Sequence, residues 1–190
     1  MNEWRKNMTV TIIDVGYALW FIFPAYCANA APVIFGGGRP IDFGKNFLDG
    51  KPILGSHKTL RGFFSGLLGG TLVGFIQTLL FQHVVSEYYA QFRYDVLLGF
   101  VISLGALVGD LVESFIKRRL DLPPGGSLPI GDQLDFVAGA FLFSLTVSPP
   151  SLLMILIILV ITPFIHLLTN LLAGLLGIKG KAEASNETHC

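Results

Sequence analysis

Between Phe136 and Ile178 the chain runs for 43 residues without a single Asp, Glu, Lys or Arg. A helix rises about 1.5 Å per residue and bilayer hydrocarbon is about 30 Å thick, so roughly 20 apolar residues suffice for one crossing. This stretch is therefore two helices, divided at Pro149-Pro150, because proline has no N–H to donate and clashes with the preceding turn. Val15 to Gly38 and Gly62 to Ser86 are also free of charge, and Val96 to Ile116 is interrupted only by Asp110 and Glu113. These patterns predict an all-α integral membrane protein, one membrane domain over residues 1–190. Its five transmembrane helices lie near 10–32, 62–83, 96–116, 134–148 and 151–176. The fourth is only about 22 Å long if fully helical. It is expected to start below the membrane surface or beside a depression.

Composition agrees and narrows the function. Charged residues are 14% of the chain and apolar residues 52%, against about 25% charged in a soluble domain. A soluble enzyme and a disordered chain are excluded. Zero net charge removes the basic excess of a nucleic-acid binder. Cys27 and Cys190 make neither a disulfide framework nor a metal-ligand spacing.

Lys and Arg set the expected orientation. Arg39, Lys45, Lys51, Lys58 and Arg61 follow the first span; Lys117, Arg118 and Arg119 follow the third; Lys179 and Lys181 follow the fifth. The opposite side has Arg5, Lys6 and Arg93, so ten charges stand against three. The loops at 33–61 and 117–133 and the C-terminus are expected in the cytoplasm, with the N-terminus outside. A cleaved signal peptide ending at Ala28-Asn29-Ala30 is the competing reading of the first span. Asp14 breaks its apolar region, and cleavage would send a five-charge loop outward. The Asn7-Met8-Thr9 and Asn186-Glu187-Thr188 sequons are read as chance matches.

Ionisable groups within spans are costly and mark function by default. Asp110, Glu113 and Lys117 are spaced i, i+3, i+7, on one face at the cytoplasmic end of the third helix. Asp132 and Asp135 repeat the i, i+3 spacing at the mouth of the fourth. Helix capping explains one acid at that end, not a second one deeper. Two pairs joined by one loop can converge into a four-carboxylate cluster. Hard oxygen donors of this kind suit Mg²⁺, which keeps positions for water and substrate phosphates. Without cations such a cluster would repel itself in a partly desolvated place.

Groups that bind phosphate surround the acids. Lys117, Arg118 and Arg119 follow at once, and residues 123–131 form a Pro/Gly-rich loop whose N–H groups can approach an anion. The first loop offers Gly36-Gly37-Gly38-Arg39, Gly44-Lys45-Asn46, Asp49-Gly50-Lys51 and Ser56-His57-Lys58-Thr59-Leu60-Arg61-Gly62, the last at a helix N-terminus. The remaining polar positions carry less. Asp14 reads as a cap or an interfacial residue, Pro24 as a kink, and His166 with Asn170 as partners for neighbouring helices. His57 and His83 have no evident partner. Acids for a divalent metal, bases for phosphates and a membrane-surface location together point to phosphoryl or nucleotidyl transfer onto a lipid, which needs no covalent nucleophile.

Gly109-Asp110-Leu111-Val112-Glu113-Ser114-Phe115-Ile116-Lys117-Arg118, then a Pro/Gly-rich loop and Gly131-Asp132-Gln133-Leu134-Asp135, resembles the CTP-dependent phosphatidate cytidylyltransferase signature. Ser56 to Gly62 resembles that family's Lys-Thr-x-x-Gly segment. The short five-span chain, with Phe47 to Gly55 ahead of that segment, is similar to the family's archaeal branch. The resemblance covers residues 32 to 138 well and implies a reaction. CTP and an isoprenoid glycerol ether phosphate give a CDP-archaeol-type lipid and pyrophosphate, by in-line attack of the lipid phosphate on the α-phosphorus with Mg²⁺, and a second, monovalent cation is compatible. It implies metal binding by Asp110, Glu113, Asp132 and Asp135, with these four and Lys117 catalytic. Substrate phosphates fall to Lys58, Thr59, Arg61, Lys117 and Arg118, with Lys45 and Asn46 beside them. Expected partners are CTP and the membrane-embedded lipid, with no nucleic acid; the oligomeric state is left open. A small cation channel or transporter using the intramembrane carboxylates is the alternative. A CDP-alcohol phosphotransferase would need an Asp-x-x-Asp-Gly-x-x-Ala-Arg run that is missing here.

Overall fold

The computed structural model describes residues 11–84, 95–123, 126, 128 and 131–175. Expectations for Arg5, Lys6, Arg93, Lys179, Lys181, Cys190, both sequons, most of the 123–131 loop and the side chains of His83 and Asn170 lie outside them. Five helices follow in order: α1 Ile12–Phe35, α2 Leu60–Val84, α3 Val96–Arg119, α4 Gly131–Ser144 and α5 Leu152–Leu175. Each expected helix is present. The fourth is displaced: its 14 residues begin three before and end four before the expected span at 134–148. Its last turn unravels where Ser144 and Thr146 donate side-chain hydroxyls to the carbonyls of Phe141 and Phe143, ahead of Pro149-Pro150. At about 21 Å, α4 is too short to cross a bilayer alone. Three helices are long and apolar enough over their described residues to cross, namely α1, Leu60–Leu80 of α2, and α3. Leu152–Leu168 of α5 is a shorter apolar segment.

Local chemistry explains the helix starts. Thr11 caps α1 by accepting from the Asp14 N–H at 3.2 Å, while the Asp14 carboxylate accepts from the Thr11 N–H at 2.8 Å, a reciprocal box. Of the two readings of Asp14, the structure shows the cap. Asp95 caps α3 through Leu98 at 2.9 Å, and Thr59 Oγ1 accepts from Gly62 at 3.1 Å at the start of α2. Proline inside α1 leaves carbonyls without their usual i+4 donor, which lipid cannot replace. Pro24 strands the Trp20 carbonyl, and buried Gln77 of α2 donates to it at 2.8 Å.

Between helices in lipid, apolar burial drives little, and close backbone approach matters more. Glycines provide it. Gly66, Gly70 and Gly74 recur every fourth residue on α2. A Cβ on Gly74 would come within 2.6 Å of the Gly99 Cα on α3. Gly105 and Gly109 of α3 meet Gly139 and Asp135 of α4 backbone to backbone, and α3–α4 is the most extensive helix pair. Phe21, Ile22, Leu98, Ile102, Phe136 and Ile158 are buried where α1, α3, α4 and α5 meet. Tyr26 and Thr162 hydrogen-bond across α1 and α5 at 2.8 Å. Leu68, Leu72 and Leu79 of α2 and Leu156, Val160 and Phe164 of α5 point outward, as hydrocarbon-facing positions should.

The α1–α2 loop is ordered around one carboxylate. Asp42, buried at 8% exposure, accepts from the Gly44 N–H at 2.9 Å and from Leu54 and Gly55 at 2.9 and 3.0 Å. Burial works to raise its pKa, but these backbone donors prevail and hold the carboxyl below its ordinary value. A lowered folded pKa stabilises the loop above the ordinary carboxylate range, and that contribution disappears as pH falls through the folded value. Asp42→Asn should therefore weaken the loop by about 1–3 kcal/mol at neutral pH. Limited proteolysis of the 40–58 segment should show the wild type loosening in acid and the variant loose throughout.

Candidate active site

The loop, the end of α3 and the start of α4 meet at one end of the bundle. Lys58, two residues before α2, lies 2.7 and 2.6 Å from the two Asp110 carboxylate oxygens. Lys58 is fixed on both sides: Ile41 N–H donates to its carbonyl at 2.8 Å, and an antiparallel bridge joins Pro40 to Thr59. One turn along α3, Glu113 faces Lys117, whose ammonium lies 3.0 Å from Glu113 Oε2 and 2.5 Å from Asp132 Oδ1. Asp132 Oδ1 also accepts from the Leu128 N–H at 2.9 Å, tying the α3–α4 loop to the helix.

Asp110, Glu113 and Asp135 each offer a carboxylate oxygen within 4.8 Å of the others. The α3–α4 glycine contacts bring these acids together, since Gly109 touches the Asp135 carbonyl carbon at a would-be Cβ distance of 3.0 Å. Glu113 Oε1 is buried with no hydrogen-bond partner among the described residues. Gly131 keeps the space beside it open, as a Cβ there would lie 2.8 Å from that oxygen. Three carboxylates, one of them with an orphaned oxygen, fit a divalent cation such as Mg²⁺. Asp132 stands behind this trio as the partner of Lys117.

A cavity of about 250 Å³ opens over the cluster, lined by Lys58, Asp110, Glu113, Lys117, Arg118, Asp132 and Asp135, with His57 and Ser114. Arg118 is only 5% exposed, and its Nε and Nη1 lack hydrogen-bond partners among the described residues. A buried guanidinium left unpaired is costly, so the site is complementary to an anion. A second cavity of about 630 Å³ shares His57, Lys58 and Asp110 with the first. It grades from Ser56, Thr59, Gly36 and Gly37 to apolar Pro32, Val33, Phe63 and Leu111. An apolar groove of about 940 Å³ between α1 and α5 continues from it through Asn29 and Val33.

Of the residues singled out in the sequence, Asp110, Glu113, Lys117, Arg118, Asp132, Asp135 and Lys58 share one cavity. Thr59 is buried, caps α2 and lines the second cavity. Lys45, Asn46 and Arg61 are exposed and line neither. Asn46 instead pairs with Pro52 across a turn. His57 and Ser114 have no signal beyond proximity to the motifs, and both line the site.

Residues 10–182 match the family model described as CarS-like, CDP-archaeol synthase. The CDP-archaeol synthase of Methanocaldococcus jannaschii is 50% identical over 165 residues, 85% of this chain and 93% of that protein. That of Pyrococcus horikoshii is 48% identical over 162 residues, again 85% and 93%. A solved structure described as an intramembrane enzyme for archaeal membrane lipids biosynthesis superposes with a TM-score of 0.73 at 32% identity. It spans 83% of this chain and 94% of its own.

Proposed function

The chain belongs to the CDP-archaeol synthase family, and on that premise we propose that it transfers the cytidylyl group of CTP to an isoprenoid glycerol ether phosphate. The enzyme is a CTP-dependent nucleotidyltransferase of the membrane. The observation that carries the finer reading is the meeting of two carboxylate pairs from α3 and α4 with Lys58, Lys117 and Arg118 in one cavity.

An oxygen of the lipid phosphate attacks the α-phosphorus of CTP. A P–O bond forms, the α–β bridging P–O bond breaks, and pyrophosphate leaves with the electron pair. Asp110, Glu113 and Asp135 would hold Mg²⁺, which when bound neutralises phosphate oxygens and the charge developing on the leaving group. Arg118 supplies a preorganised, water-poor cation for the triphosphate, where such groups count most. Lys117, the residue before it, is held between Glu113 and Asp132 and adds positive charge to the same cavity. Lys58 lies at the shared wall of the two polar cavities, so it can meet a phosphate arriving from the apolar side. The second cavity suits a lipid headgroup, and the α1–α5 groove suits its chains.

Charge asymmetry supports placing this end of the bundle in the cytoplasm, where CTP is available. Five crossings follow if α5 spans and α4, from a sunken start, together with the residues after it reaches the opposite side. A channel reading gains nothing from relatives that are named as synthases.

The reaction is tested by incubating the purified protein with α-labelled CTP, Mg²⁺ and a di-isoprenoid glycerol ether phosphate. Labelled lipid with stoichiometric pyrophosphate supports the proposal; well-folded protein that yields neither overturns it. In the same assay Lys58→Met should lower kcat/KM by about 10²-fold. Saturating CTP should not restore the rate, since Lys58 acts on the attacking phosphate as well.

A further inference from the structure

Three consecutive bases end α3, and they face three surroundings. Lys117 lies among carboxylates and Arg118 lines the cavity over them. Arg119 turns to the first loop. Its guanidinium carbon is 4.6 Å from the Phe115 ring centre and 5.1 Å from that of Phe47. The two rings meet edge to face at 5.2 Å and 89°. Nη2 donates to the Pro52 carbonyl at 2.6 Å. Nε lies 2.7 Å from Asp49 Oδ2, as an ion pair rather than an aligned hydrogen bond.

The loop answers in kind. Lys51 Nζ is 2.6 Å from Asp121 Oδ1 and donates to the Arg119 carbonyl at 3.2 Å. Acid then base at 49 and 51 thus meet base then acid at 119 and 121. A slide of two residues would set Asp49 against Asp121 in one direction and Lys51 against Arg119 in the other, like against like. The loop tip is built to hold this register. Phe47 donates its N–H to the Lys51 carbonyl at 2.7 Å, and Gly50 closes the turn at φ 79°, where glycine is favoured. From Pro52 the chain reaches Leu54 and Gly55, held by Asp42, and then Lys58 on Asp110.

Arg119 and Asp49 line neither polar cavity. A planar guanidinium suits a site that stacks aromatic rings and donates from its edge, and an ammonium does not. We propose that Arg119 is a positioning residue: it locks the first loop onto the end of α3 and so holds Lys58 at the carboxylates, without touching phosphate. The consequence for catalysis rests on the function proposed above; the lock itself does not.

The test uses the full chain in detergent, with hydrogen exchange of peptides spanning residues 47–58 and 98–107 beside kcat and KM for CTP. In Arg119→Ala, exchange over 47–58 should quicken about tenfold while 98–107 is unchanged. The kcat should fall about tenfold or more, with KM for CTP nearly constant. Arg119→Lys should resemble Arg119→Ala, because charge alone does not restore the stack. Asp49→Asn should shift both readouts the same way and less, and it decides the matter if Arg119→Ala does not fold. A large rise in KM with loop exchange unchanged overturns the proposal in favour of direct phosphate contact. No change in either readout also overturns it. Wild-type protein that makes no lipid nucleotide would refute the proposed reaction, while loop exchange would still judge the lock.

Discussion

Asp135→Asn is expected to lower turnover by about 10³-fold while the protein extracts and melts like the wild type. The substitution preserves shape and leaves an oxygen to accept from the Phe136 N–H, the 2.6 Å bond that Asp135 makes now. It removes only the negative charge from the trio with Asp110 and Glu113. The Mg²⁺ concentration for half-maximal rate should rise as turnover falls. Asp132→Asn separates the two roles proposed for the acids of α4. Its carboxylate pairs with Lys117, so its loss should act first on CTP affinity and less on the Mg²⁺ titration. Normal turnover and an unshifted Mg²⁺ titration in Asp135→Asn would leave that residue a structural acid.

Gly139→Val should be comparably damaging, by a different route. Even a Cβ at Gly139 would sit 2.9 Å from the Gly109 Cα and 3.0 Å from the Gly105 carbonyl carbon. Both are backbone atoms that cannot rotate aside, so α3 and α4 must separate. Overpacking of this kind costs about 1–3 kcal/mol or more. Because Asp110 and Glu113 stand on one helix and Asp135 on the other, a shift of about 1 Å is enough to cost roughly 10²-fold in rate. The measurement pairs thermal unfolding with turnover. Gly139→Ala should already show part of both losses, and an unaffected Gly139→Val would mean that the site tolerates a different helix spacing.

Much of this molecule was legible from the chain because the bilayer leaves few choices. Charge-free runs of helical length must be helices, as lipid satisfies no backbone group. The i, i+3 acids on α3 and α4 declared their shared faces by periodicity alone. Lys58 could be suspected from its place before α2. What periodicity cannot express is distance between helices. The glycines of α2, α3 and α4 were visible as residues, but their pairing across Gly74–Gly99 and Gly105–Gly139 depends on rotation and register. The displaced α4 followed from hydroxyl-to-backbone bonds at Ser144 and Thr146, which a hydropathy pattern does not contain. Three adjacent bases read alike in sequence, yet the last turn of α3 sends Lys117 to carboxylates, Arg118 to the cavity and Arg119 to the loop.

The sequence by itself determined five helices, their order, the acids at one end and the family resemblance, because each rests on hydrophobicity or spacing within a single segment. Only the tertiary structure decided which carboxylates come within 4.8 Å of one another, that Asp132 serves Lys117, and that Lys45, Asn46 and Arg61 stand outside the cavity. Those outcomes depend on contacts between segments distant in the chain, where close backbone packing and crossed ion pairs select one register among several that the local pattern allows.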